Sequence, residues 1–324
     1  MRVSTAMIFN TGTSGLQSRQ YDLYKLQQQL STGRRVLTPA DDPIAASEAL
    51  QVAQSSSVNQ QYMDNQGNAK TDLNFLDTIL GSVIDQLQSV KESAVQAGNS
   101  TYSPAQRGMI AEELKRRQDS LLALGNTQDG TGSYLFAGFQ STTKPFEENT
   151  NRTRTGTPLS YRLGLGTYIN YKGDSGQHSV QVSASQVTAT TENGMNVFMQ
   201  VKDSSGNVVR RSLFDGLQNL IDILDPASGV PYDTSAYTQA MGDLTSAIDH
   251  VSTIRASVAA RLQTVSSLAT ASDDISYQYT SRLSELQDLD YNAAISSFAN
   301  YKMQLDAAQL SFKQISQLSL FNIL

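Results

Sequence analysis

The sequence predicts a mainly α protein with a small β insertion, an elongated antiparallel helical bundle or coiled coil formed by the N- and C-terminal halves. Three observations predict this fold. Apolar residues repeat with steps of three and four near both ends of the chain, which is typical of helices packed along a seam. Glycine and proline, the strongest helix breakers, are absent after Gly242. Between about 132 and 212, Gly, Thr, Val and Tyr show the period-two alternation of strands.

Two helices are predicted in the N-terminal half by their start signals and their seams. Asp42 precedes Pro43, which predicts that its carboxylate caps a long helix beginning at the proline. The apolar seam of this helix runs from residue 73 to residue 94. Ser103 and Gln106 flank Pro104, which is the pattern of a reciprocal capping box at the start of the next helix.

The two ends of the chain carry matching apolar seams. The N-terminal seam consists of Leu16, Leu23, Leu26 and Leu30. The last C-terminal seam consists of Phe298, Tyr301, Leu305, Ala308, Phe312 and Ile315. Two thin helices bury little apolar surface on each other, whereas ordering their backbones costs much conformational entropy. We therefore expect these ends to be assembly elements that gain order from neighbouring molecules.

The β insertion is predicted from four short segments. Residues 168–171 and 179–182 alternate as strands, and residues 197–201 and 208–211 are expected to form a hairpin around a turn at 203–207.

Composition excludes several classes of function. The 324-residue chain has no cysteine, so disulfides, thiolate metal sites and a cysteine nucleophile are excluded. A net charge of −6 argues against a nucleic-acid-binding protein. No apolar stretch is long enough to cross a membrane, and the N-terminus lacks the pattern of a cleaved signal peptide. We expect no membrane insertion.

The sequence offers no catalytic constellation. His178 and His250 lie far apart in sequence, and we expect each at the surface or at a strand edge. Neighbouring acids such as Asp41 and Asp42 point in different directions on a helix, so we interpret them as caps or solvated groups. We expect no enzyme activity, no cofactor and no metal site.

Several separate segments, in order, resemble the flagellin family. They are STGRRVLTPADDP (31–43), the opening MRVSTAMIFN, SYLFAGFQSTTKPF (133–146), LQDLDYNAAISSF (286–298) and the ending SFKQISQLSLFNIL. Within this family they are more similar to the members at the junction of hook and filament than to filament subunits. The resemblance covers roughly 1–145 and 213–324, and the β insertion carries no motif of the family.

The resemblance implies a structural role outside the cell. Family members are exported through the flagellar type III apparatus without a cleaved signal peptide. A junction member forms a ring-like layer of copies of itself, between hook-associated protein 1 and the first flagellin subunits, and adapts the hook to the filament. An export chaperone is expected to bind its C-terminal segment before assembly.

The resemblance also implies three domains. Residues 1–42 with 290–324 would form a terminal inner coiled-coil domain, residues 43–139 with 213–289 a helical bundle domain, and residues 140–212 an outward β-rich insertion domain.

Site residues follow from the same resemblance. The expected assembly interface consists of Leu16, Leu23, Leu26, Leu30, Phe298, Leu305, Phe312 and Ile315. The expected terminal packing and chaperone-binding residues are Leu318, Leu320 and Phe321. The expected inter-domain linker includes Gly33, Arg34, Arg35, Pro39, Asp42 and Pro43. Arg34 and Arg35 would either meet acids on a neighbouring subunit or remain free surface charges.

Two alternatives to the junction adaptor stay open from the sequence. One is a filament flagellin subunit, which shares the architecture. The other is a secreted protein with enzymatic activity in the β insertion, for which the sequence offers no catalytic constellation.

Overall fold

The computed structural model describes residues 5–149, 168–201 and 212–321. The α-helices of this part of the chain are α1 (Thr5–Thr32), α2 (Pro43–Ala97), α3 (Pro104–Gly125), α4 (Leu213–Leu224), α5 (Thr234–Gln287) and α6 (Tyr291–Phe321). The strands are β1 (Phe146–Glu148), β2 (Ile169–Tyr171), β3 (Ser179–Gln181) and β4 (Val187–Ala189). A π-helix spans Met195–Met199, and a 3₁₀ turn spans Pro226–Ser228. The predicted mainly α fold with a small β insertion is confirmed.

The chain forms two compact units. One contains Met1–Gln60 with Asp273–Leu324, and the other contains Gln61–Ser272. Helices α2 and α5 contribute residues to both units. The three-domain division expected from the resemblance stays a prediction.

Both predicted helix starts are confirmed. The Asp42 carboxylate accepts a hydrogen bond from the Ala45 amide at 3.0 Å. The Ser103 hydroxyl accepts from the Gln106 amide, while the Gln106 side chain accepts from the Ser103 amide. Each cap satisfies amides that the first turn of a helix leaves without a partner.

The core of the unit 61–272 contains the predicted seam of α2. Leu73, Leu76, Leu80, Val83, Leu87, Val90 and Ala94 are all inaccessible to solvent. Helix α5 runs antiparallel to α2 here: the Tyr237 hydroxyl donates to the Ala94 carbonyl, and Arg255 pairs with Asp77 at 2.9 Å. The heptad spacing therefore predicted the buried face correctly.

Strands β1 and β2 pair antiparallel, as do β3 and β4. Each hairpin is fastened to the helices by side-chain amides. Asn126 both donates to and accepts from the backbone of Phe146, at 3.0 Å each. Gln66 donates to the Val182 carbonyl at 2.7 Å. Phe146, Ile169 and Val182 belong to the same hydrophobic core as the helices.

The predicted strand at residues 197–201 is wrong. The structure has the π-helix there, and Val197 and Phe198 are both fully buried although they are neighbours. A strand would place adjacent side chains on opposite faces, whereas here Phe198 packs against Phe136, Phe146 and Phe214 at centroid distances of 5.1–5.6 Å. Tertiary packing thus overrides the local preference. The predicted partner strand at 208–211 lies outside the described residues.

None of the described helices is both long enough and apolar enough to pass through a membrane.

A buried ion pair also joins α5 to the insertion. Arg261 contacts the Glu192 carboxylate, whose side chain is 3% exposed, and donates to the Ala189 carbonyl at 3.2 Å. Glu192 also accepts from the Gln177 side chain. The carboxylate is therefore buried with two donors to satisfy it.

Replacing Arg261 should strongly destabilise this unit. Arg261→Met leaves the buried Glu192 without its cation, so we expect a loss of about 3 kcal/mol in the free energy of unfolding, measured by urea denaturation. Arg282→Met is the matched control, because it removes an ion pair with Glu48 whose side chains are 52% and 46% exposed. We expect that control to lose less than about 1 kcal/mol. Equal losses in the two variants would contradict the structural role of Arg261.

Candidate assembly interface

Helices α1 and α6 pack against each other and carry the residues expected at the assembly interface. Leu26 and Leu305 are each only 8% exposed, and Ala294 is 4% exposed. The other expected residues with described side chains are half-buried: Leu16, Leu23, Leu30, Phe298 and Phe312. Their apolar surface is thus only partly covered within one molecule.

Phe312 of α6 contacts α1 at two positions. Its ring lies 5.0 Å from the ring of Phe9, measured between centroids. The ring also lies against the backbone of Gly12, where an added Cβ would come within 2.7 Å of it. Gly12 thus leaves the space that the ring occupies, and this role was not predicted from the sequence.

Four of the expected residues lie beyond the described side chains. Ile315, Leu318, Leu320 and Phe321 belong to α6, which extends to Phe321. The predictions for these side chains stay predictions.

Large apolar side chains also remain exposed on both helices. On α1 they are Met7, Phe9, Tyr21 and Tyr24, with 52–66% of each residue exposed. On α6 they are Tyr291, Ile295, Met303 and Leu310, with 50–68% of each residue exposed. Such a concentration of exposed apolar surface is typical of a site of protein association.

Backbone hydrogen bonds join the expected linker to the connection between α5 and α6. Gly33 ends α1 with a positive φ of 71°, the conformation that a glycine cap supplies. Its carbonyl accepts from the Leu289 amide at 2.9 Å, and the Arg35 amide donates to the Gln287 carbonyl at 2.7 Å. Together they form a short antiparallel bridge between Arg34 and Asp288.

This bridge lies where the long C-terminal helical stretch breaks. Helix α5 ends at Gln287 and α6 begins at Tyr291, although no glycine or proline occurs there. The Asp290 carboxylate accepts from the amides of Asn292 and Ala293, so it caps α6. The sequence analysis missed this break, and Asp290 at a helix start was the available signal.

Asp41 organises the turn that contains Pro39. Its carboxylate accepts from the amides of Leu37 and Thr38 and pairs with Lys25 of α1 at 2.6 Å. Hydrogen bonds from Lys25 and then Thr38 lower the pKa of Asp41 from 3.8 to about 2. Asp41 therefore ties the linker back to α1, a role that the sequence analysis did not assign.

The two arginines of the linker have different environments. Arg35 pairs with Asp42 at 3.0 Å and donates to the Leu286 carbonyl at 2.9 Å. The Ala45 amide and then Arg35 lower the pKa of Asp42. Arg34 is exposed. The acid that Arg35 meets in the structure belongs to its own chain.

A cavity of about 280 Å³ brings His178 close to two acids. Its lining includes Asp72, Phe75, Asp129 and Thr190 as well as His178. Burial and then the Asp129 carboxylate raise the pKa of Asp72, while His178 lowers it. Among the residues that the structure describes, no group of three or more His, Asp or Glu could hold a metal ion.

The prediction that His250 lies at the surface or at a strand edge is wrong. This histidine is only 6% exposed, on α5, and its Nε2 lies 2.8 Å from the Asn196 carbonyl oxygen. The π-helix places that carbonyl beside α5, so His250 is part of the packed core instead of the surface.

The structure defines a mainly α protein whose first and last described helices, α1 and α6, pack against each other. In agreement, a family model described as bacterial flagellin N-terminal helical region matches residues 3–141. Flagellar hook-associated protein 3 of Escherichia coli (strain K12) is 30% identical, and the match covers 100% of this chain and 99% of that protein. The protein of the same name in Salmonella typhimurium (strain LT2) is 28% identical with the same coverage. This chain therefore belongs to the family of flagellar hook-associated protein 3.

A solved structure has the same fold. The crystal structure of the flagellar junction protein FlgL from Legionella pneumophila is similar with a TM-score of 0.59. The match covers 74% of this chain and 100% of that chain at 19% identity.

Substituting Gly33 should destabilise the linker bridge. Gly33→Ala forces a side chain into the left-handed region, about 2.9 Å from the Tyr291 hydroxyl, and we expect a loss of about 1–2 kcal/mol. Gly15→Ala is the control, since Gly15 lies inside α1 with open space around it. That change should stabilise the helix by up to about 1 kcal/mol. Thermal unfolding, monitored by circular dichroism, compares the stability of the two variants. Equal stability of the two would contradict the proposed strain at Gly33.

Acid should loosen the Asp41 turn at an unusually low pH. The pKa of Asp41 is lower in the folded chain than in the unfolded chain. The contribution of its carboxylate to the free energy of unfolding is therefore fully present above about pH 4. It is lost as the pH falls through about 2. NMR titration of the Leu37 and Thr38 amides should show this midpoint, and Asp41→Asn should abolish it. A midpoint near pH 4 in the unmodified chain would show that the Lys25 contact does not form.

Proposed function

We propose that this chain is a structural subunit of the bacterial flagellum that joins the hook to the filament. The end-to-end match to two hook-associated proteins carries this proposal. The solved structure described as a flagellar junction protein has the same fold. Matches over the whole length favour a hook-associated role over that of a filament flagellin subunit.

Assembly uses the terminal helices α1 and α6. Among the side chains that the structure describes on these helices, eight large apolar ones remain half-exposed or more, and burial of such surface is the main driving force for association. The occupant is a second copy of this chain, so that the copies form a ring-like layer. Each helix carries only three charged residues, so close approach of copies removes few charges from water.

The partners differ at the two sides of the layer. Hook-associated protein 1 lies on the hook side and flagellin on the filament side. Before assembly, an export chaperone covers the C-terminal segment with Leu318, Leu320 and Phe321. The chain is exported without a cleaved signal peptide and works outside the cell, at the hook–filament junction. It acts without catalysis, cofactor, nucleic acid or insertion into a membrane.

Deletion of the gene, combined with immunolocalisation of the product in the parent strain, tests the proposed role. The deletion strain should keep its hooks and lose its filaments, while antibodies should label the tip of the hook in the parent. Labelling along the whole filament would favour a filament subunit. Normal filaments in the deletion strain would overturn the proposal.

A charge in the seam should block assembly. Phe312→Asp places a carboxylate against Phe9 and Gly12, where burial of an unpaired charge is costly. We expect the variant to be exported and to leave the deletion strain without filaments, as judged by electron microscopy. Gln263→Asp, at an exposed position of α5, makes the same charge change and should restore filaments. Filament growth with Phe312→Asp would contradict the assigned seam.

A further inference from the structure

Three segments of the unit 61–272 build the cavity of about 280 Å³ beside His178. Helix α2 contributes Asp72 and Phe75, the chain after α3 contributes Asp129 and Tyr134, and the insertion contributes His178. Ligand sites in proteins have volumes of about 300–1,000 Å³. The cavity lies near the lower end of this range, a size that suits one side chain or a small molecule.

Two carboxylates line this cavity together. They belong to Asp72 and Asp129, and burial and then the charge of Asp129 raise the pKa of Asp72. Among the described residues of the lining, none is a lysine or an arginine. Like charges repel each other more strongly where solvent is partly excluded. A cation bound between the two carboxylates would offset this repulsion, so the cavity is complementary in charge to a cationic ligand.

The turn at residues 129–133 holds the second carboxylate in place. Asp129 Oδ1 accepts hydrogen bonds from the amides of Thr131 and Ser133, at 2.8 and 2.9 Å, and from the Thr131 hydroxyl at 2.7 Å. The Thr131 hydroxyl and then the Ser133 amide lower the pKa of Asp129, so this group is ionised at neutral pH. All three hydrogen bonds end on Oδ1, which leaves Oδ2 available to a ligand.

The lining favours an organic cation over a metal ion. Besides the two acids, it contains the rings of Phe75 and Tyr134. The guanidinium group of arginine is attracted to aromatic rings and donates two parallel hydrogen bonds to a carboxylate. A calcium ion, in contrast, takes about six to eight oxygen ligands and gains nothing from aromatic surface.

We propose that this cavity binds a guanidinium group carried on an aliphatic stem. The guanidinium lies between Asp72 and Asp129, and the stem lies against the aromatic surface. Two sources carry this group, free arginine and an arginine side chain of another protein. The free amino acid also carries a carboxylate, which the two acids of the cavity repel, so the lining favours the arginine side chain. The inference does not depend on the proposed function, because the cavity lies outside α1 and α6.

Titration of the full chain with small probes tests this inference. N-acetyl-arginine N-methylamide represents an arginine within a protein, and free arginine represents the amino acid. N-acetyl-citrulline N-methylamide has nearly the same shape without the charge. The titrations are performed at about pH 8, where histidine side chains are ordinarily neutral. NMR follows the amides of Ser133 and Thr191, two residues of the lining. The blocked arginine should cause saturable shifts, and blocked citrulline should bind about tenfold more weakly or less.

Matched variants locate the binding site. Asp72→Asn and Asp129→Asn each remove one charge at nearly constant size, and each should weaken binding of the blocked arginine about tenfold. The new amide oxygen in Asp129→Asn can still accept the hydrogen bonds of the turn, so the loop should keep its structure. Asp119→Asn is the control, because Asp119 is exposed on α3 and does not line the cavity. This variant should bind like the unmodified chain.

Several results would overturn the inference. They are the absence of saturable shifts up to about 10 mM blocked arginine, equal binding of blocked arginine and blocked citrulline, and equal weakening in Asp119→Asn and the two cavity variants. Saturable shifts of the same amides with calcium chloride, but not with blocked arginine, would also overturn it. Tighter binding of free arginine than of blocked arginine would overturn the assignment to a protein side chain.

Discussion

The terminal unit depends on the backbone hydrogen bonds between the linker and the connection from α5 to α6. Gly33 adopts a left-handed backbone conformation, and its carbonyl and the amide of Arg35 then bond to Leu289 and Gln287. These two bonds end α1 and break the α5–α6 stretch at the same level. Asp41 and Asp42 hold the remaining turn by capping its amides and pairing with Lys25 and Arg35. The C-terminal end of α1 and the N-terminal end of α6 are therefore held together by these hydrogen bonds.

The unit 61–272 depends on a different kind of contact. Its long helices meet along fully buried leucines and valines, and the insertion adds a cluster of phenylalanines to the same core. Polar anchors, such as Asn126 and the Arg261–Glu192 pair, join the strands to the helices. Buried polar groups with good partners specify one arrangement, because each would be costly to leave unpaired.

The contrast between the two units explains the proposed role. The unit 61–272 buries the α2 seam from Leu73 to Ala94 completely within one molecule. The helices α1 and α6 leave Phe312, Leu16 and Leu23 half-buried and leave residues such as Met303 and Leu310 exposed. A chain that ends in incompletely covered helices is stabilised further when copies associate, since association buries the remaining apolar surface.

The sequence by itself determined the helical class, the buried face of α2, both helix caps and the pairing of the two ends. These features depend on local periodicity and on capping chemistry, which neighbouring residues specify. Only the tertiary structure decided the break at residues 288–290, the π-helix at Met195–Met199 and the burial of His250. In each of these cases a distant segment supplies the deciding contact: Gly33 and Arg35 for the break, Phe136 and Phe214 for the π-helix, and the Asn196 carbonyl for His250. Such contacts join residues far apart in sequence, so local patterns predict them poorly, and only the break offered a local signal, the helix-capping Asp290.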